Sequence, residues 1–473
     1  MIVDKSSSPS RRGLLRLLAS APLLGLAGGA ALAEPERKWS VTGRRLPELD
    51  GLDAAVQDAM RAAKIRAGAL AIACKGKTLF ERGYTWAEPN YPTTQPTSPF
   101  RLASVTKAFT AALTFEMVKT RAIALDTRAF AYLGLAPLAR TGHAGDPRLN
   151  DITVKQLIEH RSGLARDIYV KDRCCGPALR DMAHALGLHR VPTAEEKVRF
   201  MLSEPLKFVP GTQEEYSNLG YDVLGLVCAK AANMDFFGAV RKYVTAPHDI
   251  EVFLASTSKE KRLPGEPFYD DPGSGPTIEH PDRNDIMPAV YGGDVYLEAA
   301  PASGAMAASA GAVARLIGHY AAGGFGVRTG RSARSGSQPG SSSWAESRGN
   351  GLDFCCVFNT RHFEGADGAI DAMRKEIRRI LDDSHMGCEV TVYWDDDFKG
   401  DLWRTTGDRS RLEGGWNDQI SSIHVTSGNW EFYEHDNFGG KALKLGPGRY
   451  PRLVDGWNDT ISSFRCVEPT LAP

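Results

Sequence analysis

Ser104 and Lys107 could form a reactive pair, because they lie three positions apart at the start of an apolar run with helical periodicity. In a helix this spacing puts the amine one turn above the hydroxyl on the same face. A serine hydroxyl is a weak nucleophile until a neighbouring base accepts its proton, and a desolvated lysine can serve as that base. The pair therefore predicts an activated serine, although the same spacing also occurs where serine merely caps a helix.

Two later segments follow this pair along the chain. Tyr216-Ser217-Asn218 stands before an apolar helical run, and a glycine-rich segment over residues 334–340 precedes a predicted hairpin. The order Ser-x-x-Lys, Tyr-x-Asn and glycine-rich segment resembles the serine β-lactamase and penicillin-binding protein superfamily. The flanking residues 152–160 and 210–212 are similar to its class C branch, which includes esterases and D-amino-acid peptidases. The likeness covers about residues 50–381.

The resemblance implies an acyl-enzyme mechanism with a role for each motif. Ser104 would attack a carbonyl carbon, and Lys107 and Tyr216 would share the proton transfer. Asn218 would orient Lys107 and the substrate amide or ester. The backbone N–H groups of Ser104, at a helix N-terminus, and of Ser337 would form the oxyanion hole.

The third motif departs from the family pattern at its first position. Relatives usually carry Lys or His there, whereas this chain has Arg334, followed by Ser335 and Gly336. Arginine stays protonated and cannot act as a base, but its forked donors can hold a substrate carboxylate. We expect these three residues to border the substrate. An alternative match at residues 328–330, Arg-Thr-Gly, lacks the Gly-Ser-x-Pro-Gly that should follow.

These motifs leave more than one function open. We expect hydrolysis of an ester or amide, and the alternatives are a β-lactamase or a D-amino-acid peptidase, whose prediction the arginine weakens. A catalytically inactive binding or adhesive protein is also possible if each residue has a structural role. In that case Ser104 caps its helix, Lys107 is solvated, Tyr216 is a core ring and Asn218 is an N-cap.

The first 33 residues predict an export signal. Arg11 and Arg12 precede an apolar stretch, and Ala31-Leu32-Ala33 supplies a small-x-small cleavage site. These are the features of a twin-arginine signal, so we expect a bacterial protein that is periplasmic or secreted. An N-terminal membrane anchor is the alternative, but Pro22 makes a weak span, and we expect no transmembrane segment in the mature chain.

Composition limits the partners. Lys plus Arg and Asp plus Glu each number 57 among 473 residues, so no long-range field attracts nucleic acid or anionic lipid. We expect a small-molecule ester or amide, or a peptide, as substrate and no nucleic acid. The 42% hydrophobic content and the length favour two or three domains.

The periodicity predicts an α+β catalytic domain over residues 34–384, with an antiparallel sheet flanked by terminal helices and a helical lobe. The expected elements are a helix over residues 49–65, a hairpin turning at Lys75–Lys77, a helix from Ser104 to about Lys119, a helix capped by Gly163, and a closing helix through residues 370–380 that packs beside the first.

Residues 388–468 contain an internal repeat and predict a second, all-β domain. Residues 393–400 recur at 433–440, and residues 416–422 recur at 457–463. Both copies resemble the Greek-key motifs of the βγ-crystallin family, in which a glycine permits a folded-over turn and aromatic side chains form a corner. We therefore predict a double Greek-key domain.

The second half of each copy matches the calcium-binding signature of that family. The expected ligands are Asn417, Asp418, Gln419 and Ser421 in one copy and Asn458, Asp459, Thr460 and Ser462 in the other. Oxygen donors of these types suit a hard cation, so we expect structural Ca²⁺ in this domain and no cofactor for catalysis. The alternative is a hydrogen-bonded turn without an ion. The domain could resist proteolysis or contact polysaccharide or the cell envelope, and the residues do not choose between these roles.

The eight cysteines are free to pair in an exported protein. Cys388 and Cys466 bracket the second domain, and we predict a disulfide between them. Cys355 and Cys356 lie in an apolar run, which favours a role as small core residues. The adjacent pair at 174–175 fits no zinc-binding spacing.

Overall fold

The computed structural model describes residues 36–138, 145–164, 176–327, 331–348, 351–384, 386–454 and 456–470. Within it, Arg37–Pro473 forms one compact unit. The predicted export signal, the alternative motif at residues 328–330 and the cysteines at 174–175 lie outside the described residues.

The domain that the sequence predicts to be catalytic consists of helices and short strands. The helices are α1 Asp50–Ala62, α2 Thr106–Lys119, α3 Ala129–Leu133, α4 Val154–Ile158, α5 Ala178–Ala185, α6 Ala194–Met201, α7 Asn218–Ala232, α8 Phe236–Val240, α9 Ala310–His319 and α10 Asp367–Asp383. The strands are β1 Lys38–Thr42, β2 Ala67–Cys74, β3 Lys77–Ala87, β4 Phe100–Arg101, β5 Phe253–Leu254, β6 Ser274–Pro276, β7 Ile286–Pro288, β8 Met306–Ala308, β9 Ser332–Gln338, β10 Ser341–Ser347 and β11 Leu352–Phe358.

The main sheet is six-stranded, in the order β1-β3-β2-β11-β10-β9, and every neighbouring pair is antiparallel. Helices α1 and α10 pack together on one face, as the sequence predicted, and α9 packs on the other. The strand β9 is therefore an edge strand, and it runs beside the start of α2.

Strand β2 is buried on both faces, which explains its unbroken run of small and apolar residues. Its alanines belong to the apolar cluster on the α9 side, while Leu70, Ile72 and Cys74 belong to the cluster beneath α1 and α10. Small side chains on the first face let a helix approach the sheet closely, since interiors are close-packed. The helix α2 is similarly enclosed, because residues 106–114 are all buried.

The helix α4 ends earlier than the sequence predicted. Gly163 was expected to cap it, but the helix stops at Ile158, and His160 takes the left-handed conformation with φ 57°. His160 N donates to Leu157 O (3.3 Å) and Arg161 N donates to Gln156 O (2.7 Å), which closes the helix in a Schellman pattern. The predicted cap is wrong because a histidine occupies the position that glycine usually fills.

The C-terminal domain is all β, as predicted. Its strands are β12 Glu389–Asp395, β13 Lys399–Thr405, β14 Ser422–Ser427, β15 Asn429–His435, β16 Gly439–Leu445, β17 Gly448–Tyr450 and β18 Ser463–Glu468. They form two sheets, β13-β12-β14-β17 and β16-β15-β18. The strand β17 of the second repeat thus joins the sheet of the first, which interlocks the repeats.

Each repeat folds its first hairpin over as the aromatic pattern predicts. The rings of Tyr393 and Phe398 pack edge to face at 5.5 Å, and Tyr433 and Phe438 do so at 5.8 Å. The glycines that follow, at 400 and 440, have φ of 73° and 78°, a conformation that favours glycine. The structure also contains the Cys388–Cys466 disulfide, which joins the two ends of the domain.

One apolar cluster crosses from the catalytic domain into the C-terminal domain. It begins beneath α1 and α10, includes Leu352 and Met386, and continues to Trp430 and Phe464 in the second domain. Gly387 connects the two domains and packs against Leu352. A Cβ added to Gly387 would lie 3.2 Å from the Leu352 side chain. The two domains therefore share a continuous core.

The β2–β3 turn contacts both domains. Lys75 Nζ pairs with the Asp408 carboxylate and donates to Cys466 O at 3.0 Å. On its other side, Gly76 lies so close to His319 that an added Cβ would be 2.1 Å from Nε2. Within the described residues, no single helix is long and apolar enough to cross a membrane, and one bent helix pair, α7 with the helical segment Phe236–His248, passes that test by length and composition.

Candidate active site

Ser104 lies in a short 3₁₀ turn, Ala103–Val105, that leads into α2. Ala103 has φ 46°, an uncommon conformation for a residue with a side chain, and such conformations are frequent at functional sites. The Ser104 hydroxyl is 2.6 Å from Tyr216 Oη and accepts a hydrogen bond from Lys107 Nζ at 3.2 Å. The turn thus directs the hydroxyl to both predicted proton carriers.

Lys107 is fully buried, so it is not a solvated helix end. Besides Ser104 Oγ, its Nζ donates to Asn218 Oδ1 and to Ser303 O, each at 2.6 Å. It also lies 4.8 Å from the centre of the Tyr216 ring. Ser303 could not be predicted from the sequence, because it contributes a backbone carbonyl, which every residue type carries.

The start of α7 explains how Asn218 reaches the lysine. Ser217 is the N-cap, and its hydroxyl accepts a hydrogen bond from Gly220 N at 2.9 Å. Asn218 is the first helical residue, and its side chain turns to Lys107. The alternative in which Asn218 caps the helix is therefore wrong.

Gly336 brings the edge strand β9 against the turn that carries Ser104. An added Cβ at this position would lie 2.2 Å from Leu102 O and 3.0 Å from Ser104 N, so only glycine fits without a shift. Ser343 on β10 also donates to Leu102 O, at 2.7 Å. Ser337 is the next residue of this edge strand, and its role as an oxyanion donor remains a prediction.

Arg334 lies on the same face of β9 as Gly336, two residues away. Its Nε donates to Ala322 O at 3.0 Å, and its guanidinium lies 5.8 Å from the centre of the Tyr221 ring. Arg334 and His160 line a cleft of about 460 Å³ whose other walls include Phe325. Ser335 faces the solvent.

Two aromatic residues behind the site are electrically neutral. Burial, together with the charges of Arg334 and Lys107, lowers the pKa of His160 to about 3. Burial raises the pKa of the Tyr221 phenol, an effect that the Arg334 charge partly opposes. The His160 imidazole is therefore uncharged at neutral pH.

The predicted calcium ligands form two clusters in the C-terminal domain. Asp418 Oδ1 accepts from Ser462 Oγ at 3.3 Å, and Asp459 Oδ1 accepts from Ser421 Oγ at 3.1 Å. Each serine hydroxyl shares its single proton with a nearer backbone carbonyl, Glu434 O at 2.8 Å from Ser462 and Trp394 O at 2.6 Å from Ser421. The sequence pattern predicted that each set of ligands comes from a single repeat. In the structure, the carboxylate of each pair comes from one repeat and the serine from the other.

The remaining predicted ligands lie beside these carboxylates. Asn417 and Asn458 each donate to the aspartate that follows, at 2.7 and 2.9 Å. Gln419 Nε2 and Thr460 Oγ1 donate to nearby backbone carbonyls. Carboxylate, hydroxyl and carbonyl oxygens together fit a hard cation. The described part of the chain has no group of three or more His, Cys, Asp or Glu side chains suited to a metal, so ligation would depend on neutral oxygens.

Comparison with known families agrees with this architecture. The Beta-lactamase family model matches residues 52–355, which is more than half of the chain, and the Beta/Gamma crystallin model matches residues 389–467. The chain belongs to the β-lactamase family and carries a C-terminal βγ-crystallin domain. Both resemblances predicted from the sequence are thereby confirmed.

Individual relatives cover only parts of the chain. Esterase EstB of Burkholderia gladioli is 31% identical over 204 residues, 41% of this chain and 48% of the relative. The probable fimbrial assembly protein FimD, serogroup H1, of Dichelobacter nodosus is 30% identical over 173 residues, 37% and 38% of the two chains. The chain thus spans less than half the length of either curated relative.

A solved structure extends the similarity in fold. The D-amino acid amidase of Ochrobactrum anthropi SV3, complexed with L-phenylalanine amide, matches 71% of this chain and 99% of its own. The TM-score is 0.51 at 18% sequence identity, which shows a shared fold alone.

Proposed function

We propose that this protein is an exported bacterial serine hydrolase that cleaves an ester or amide bond through an acyl-serine intermediate. The observation that carries the proposal is the meeting of Ser104 Oγ with Tyr216 Oη at 2.6 Å and Lys107 Nζ at 3.2 Å. A nucleophile within hydrogen-bond reach of its base is the geometry that covalent catalysis needs.

The proposed reaction has two steps. Ser104 Oγ attacks the carbonyl carbon while its proton passes to Tyr216 or Lys107, and the same groups then protonate the leaving alcohol or amine. Water attacks the acyl-serine in the second step and releases the acid. The backbone N–H groups of Ser104 and Ser337 stabilise the negative oxygen in both steps.

Ester hydrolysis is our first choice of activity. Support comes from the similarity to a relative named esterase EstB. A β-lactamase or D-amino-acid peptidase is the second candidate, because a guanidinium at the edge of the cleft could pair with a substrate carboxylate. The inactive binding protein is the third, and the following experiment distinguishes all three.

The test is a substrate panel of short-chain p-nitrophenyl esters, D-amino-acid amides and a chromogenic cephalosporin. The parent protein should hydrolyse at least one class, and Ser104→Ala should lose that activity by a factor of about 10³–10⁶, as expected when a covalent nucleophile is removed. Ser410→Ala is a matched control, since this exposed serine lies in the C-terminal domain and its loss should leave activity unchanged. If the parent turns over no substrate, or if Ser104→Ala stays active, the serine mechanism is wrong.

We further propose that the C-terminal domain binds Ca²⁺ in a structural role. The two clusters that pair Asp418 with Ser462 and Asp459 with Ser421 support this, because each presents a carboxylate, a hydroxyl and carbonyl oxygens to one place. Calcium would be held by these residues and would take no part in the hydrolysis. Extracellular modules of this kind bind calcium at about 10⁻⁴–10⁻³ M, concentrations reached outside cells.

Export is proposed from the twin-arginine pattern of the first 33 residues. The Cys388–Cys466 disulfide supports it, because such bonds persist in oxidising compartments such as the periplasm. A periplasmic or secreted protein would meet polysaccharide or envelope material, and contact of the second domain with either remains a prediction.

A further inference from the structure

His160, which lies just after α4, contacts the segment that carries Tyr216. Glu215 N donates to His160 O at 2.8 Å, and Ser217 N donates to His160 Nδ1 at 3.2 Å. The imidazole also packs on the Tyr216 ring, with centres 4.7 Å apart and planes inclined by 33°. Contacts therefore fix the backbone on both sides of Tyr216 as well as its ring.

The backbone of His160 is unfavourable for a histidine. It occupies the left-handed position after α4, where glycine is preferred because it has no Cβ. A glycine would close the helix at lower cost, so helix capping does not explain a histidine here. Uncommon conformations of this kind persist where the side chain has a task.

The charges around His160 favour the neutral imidazole, whose Nδ1 can accept a hydrogen bond. A protonated imidazole has two N–H donors, and its Nδ1 could not accept the Ser217 N–H. Burial and the nearby cations Lys107 and Arg334 disfavour that protonated form. With Nδ1 as the acceptor, the single ring proton lies on Nε2.

We propose that His160 is a positioning residue that holds the Tyr216 phenol against Ser104. The proposal rests on the serine mechanism proposed above, in which Tyr216 takes part in proton transfer. His160 does not touch the reacting atoms, and it acts through the position of Tyr216.

Two variants separate this role from that of helix cap. His160→Gly satisfies the left-handed backbone and removes both the acceptor and the ring. His160→Asn keeps an acceptor, because its Oδ1 is bonded to Cγ as Nδ1 is in histidine, and asparagine tolerates the left-handed conformation. The second variant keeps the acceptor and loses the ring contacts with Tyr216 and Tyr221.

The measurements are the melting temperature and the pH profiles of kcat and KM on the substrate that the panel identifies. His160→Gly should remain folded, and its kcat should fall about 100-fold with little change in KM, because small misplacement of a catalytic group has effects of that order. His160→Asn should lose less, about 10-fold. In both variants the midpoint of the acidic limb of kcat/KM should move, since it reports the groups that exchange protons.

Three outcomes would overturn the proposal. The first is a folded His160→Gly that keeps the parent kcat and pH profile, and the second is a loss of activity matched by a fall in melting temperature with the profile unmoved. The third outcome applies if the glycine variant does not fold: it is a His160→Asn variant that has the kcat and the pH profile of the parent protein. Ser104→Ala runs in parallel: if it stays active, the serine mechanism has failed, whereas an inactive Ser104→Ala beside a fully active His160→Gly rejects the role of His160 alone.

Discussion

The ammonium group of Lys107 has no access to water and depends on the oxygens around it. Three of them are identified, on Ser104, Asn218 and Ser303, and the lysine is both a base candidate and a buried charge. A buried charge that loses a hydrogen-bond partner is costly, because water does not replace the partner. Function and stability are therefore coupled at this residue.

Asn218→Ala should reveal that coupling. Removing the amide oxygen should lower the free energy of unfolding by about 1–3 kcal/mol and reduce kcat, because the ammonium loses an acceptor and its orientation. Urea denaturation and turnover of the panel substrate measure the two effects. Asn284→Ala is the matched control: this exposed asparagine also accepts from a cation, Arg180, and its loss should change stability by less than about 0.5 kcal/mol. Equal effects in the two variants would contradict the coupling.

The sequence was sufficient to select Ser104, Lys107, Tyr216 and Asn218, because their types and order carry the signal. Ser303 could not be predicted, since a backbone carbonyl serves equally well in any residue type. His160 ends the segment 152–160, which resembles the class C branch, but its role depends on contacts between residues that are distant in the sequence. A histidine just after a helix, in place of the usual glycine, is the signal that could have raised the question.

Among the elements, the proposed catalysis depends on the approach of the edge strand β9 to the start of α2. The strand β9 comes close enough to the Ser104 turn that Gly336 has no room for a side chain. This contact sets the distance between the nucleophile and the strand that carries the predicted oxyanion donor.

Gly336→Ala should therefore reduce activity more than stability. The new methyl group would meet Leu102 O and Ser104 N, which are backbone atoms and cannot rotate away. We expect kcat/KM to fall by about 10²-fold or more, as displacements near 1 Å produce. Steady-state kinetics and a melting curve make the comparison.

The control for that variant is Gly368→Ala on α10. An added Cβ there meets nothing within 4 Å, and alanine in a helix is favoured over glycine by about 0.5–1 kcal/mol. The control should keep full activity and gain slight stability. A Gly336→Ala enzyme as active as the control would show that the close approach does not matter for catalysis.

Element types were predictable where the pattern of apolar residues is periodic or alternates with turns. The hairpin at Lys75, the helix α2 and the closing helix α10 all appear as expected. The end of α4 was predicted wrongly, because glycine is the usual stop signal and the tertiary contacts of His160 override it. The pairing of each predicted calcium-binding aspartate with a serine of the other repeat could not be predicted from the sequence, since it arises from the packing of one repeat on the other.

At the scale of the whole molecule, the proposed calcium sites belong to a domain that shares its core with the catalytic domain. Stabilisation of one domain should therefore be felt by the other. Binding to the folded state alone adds RT ln(1 + [L]/Kd) to stability.

Calcium at 10 mM should raise the melting temperature and the temperature of activity loss together. With a dissociation constant of about 10⁻⁴–10⁻³ M, each site contributes roughly 1.4–2.7 kcal/mol. Differential scanning calorimetry and residual activity after heating measure the two temperatures. The double variant Asp418→Asn, Asp459→Asn should abolish the shift, while the exposed Asp401→Asn should keep it. An unchanged midpoint in the parent would favour hydrogen-bonded turns without an ion.

The second domain covers apolar side chains of the first, because the two domains share one core. Deleting residues 388–473 would uncover Leu352, Met386 and the apolar side chains beneath α10. Large exposed apolar patches promote association between molecules. The βγ-crystallin domain is thus an integral part of the fold and covers apolar side chains of the other domain. Its contribution is best measured with point substitutions that leave this shared apolar core covered.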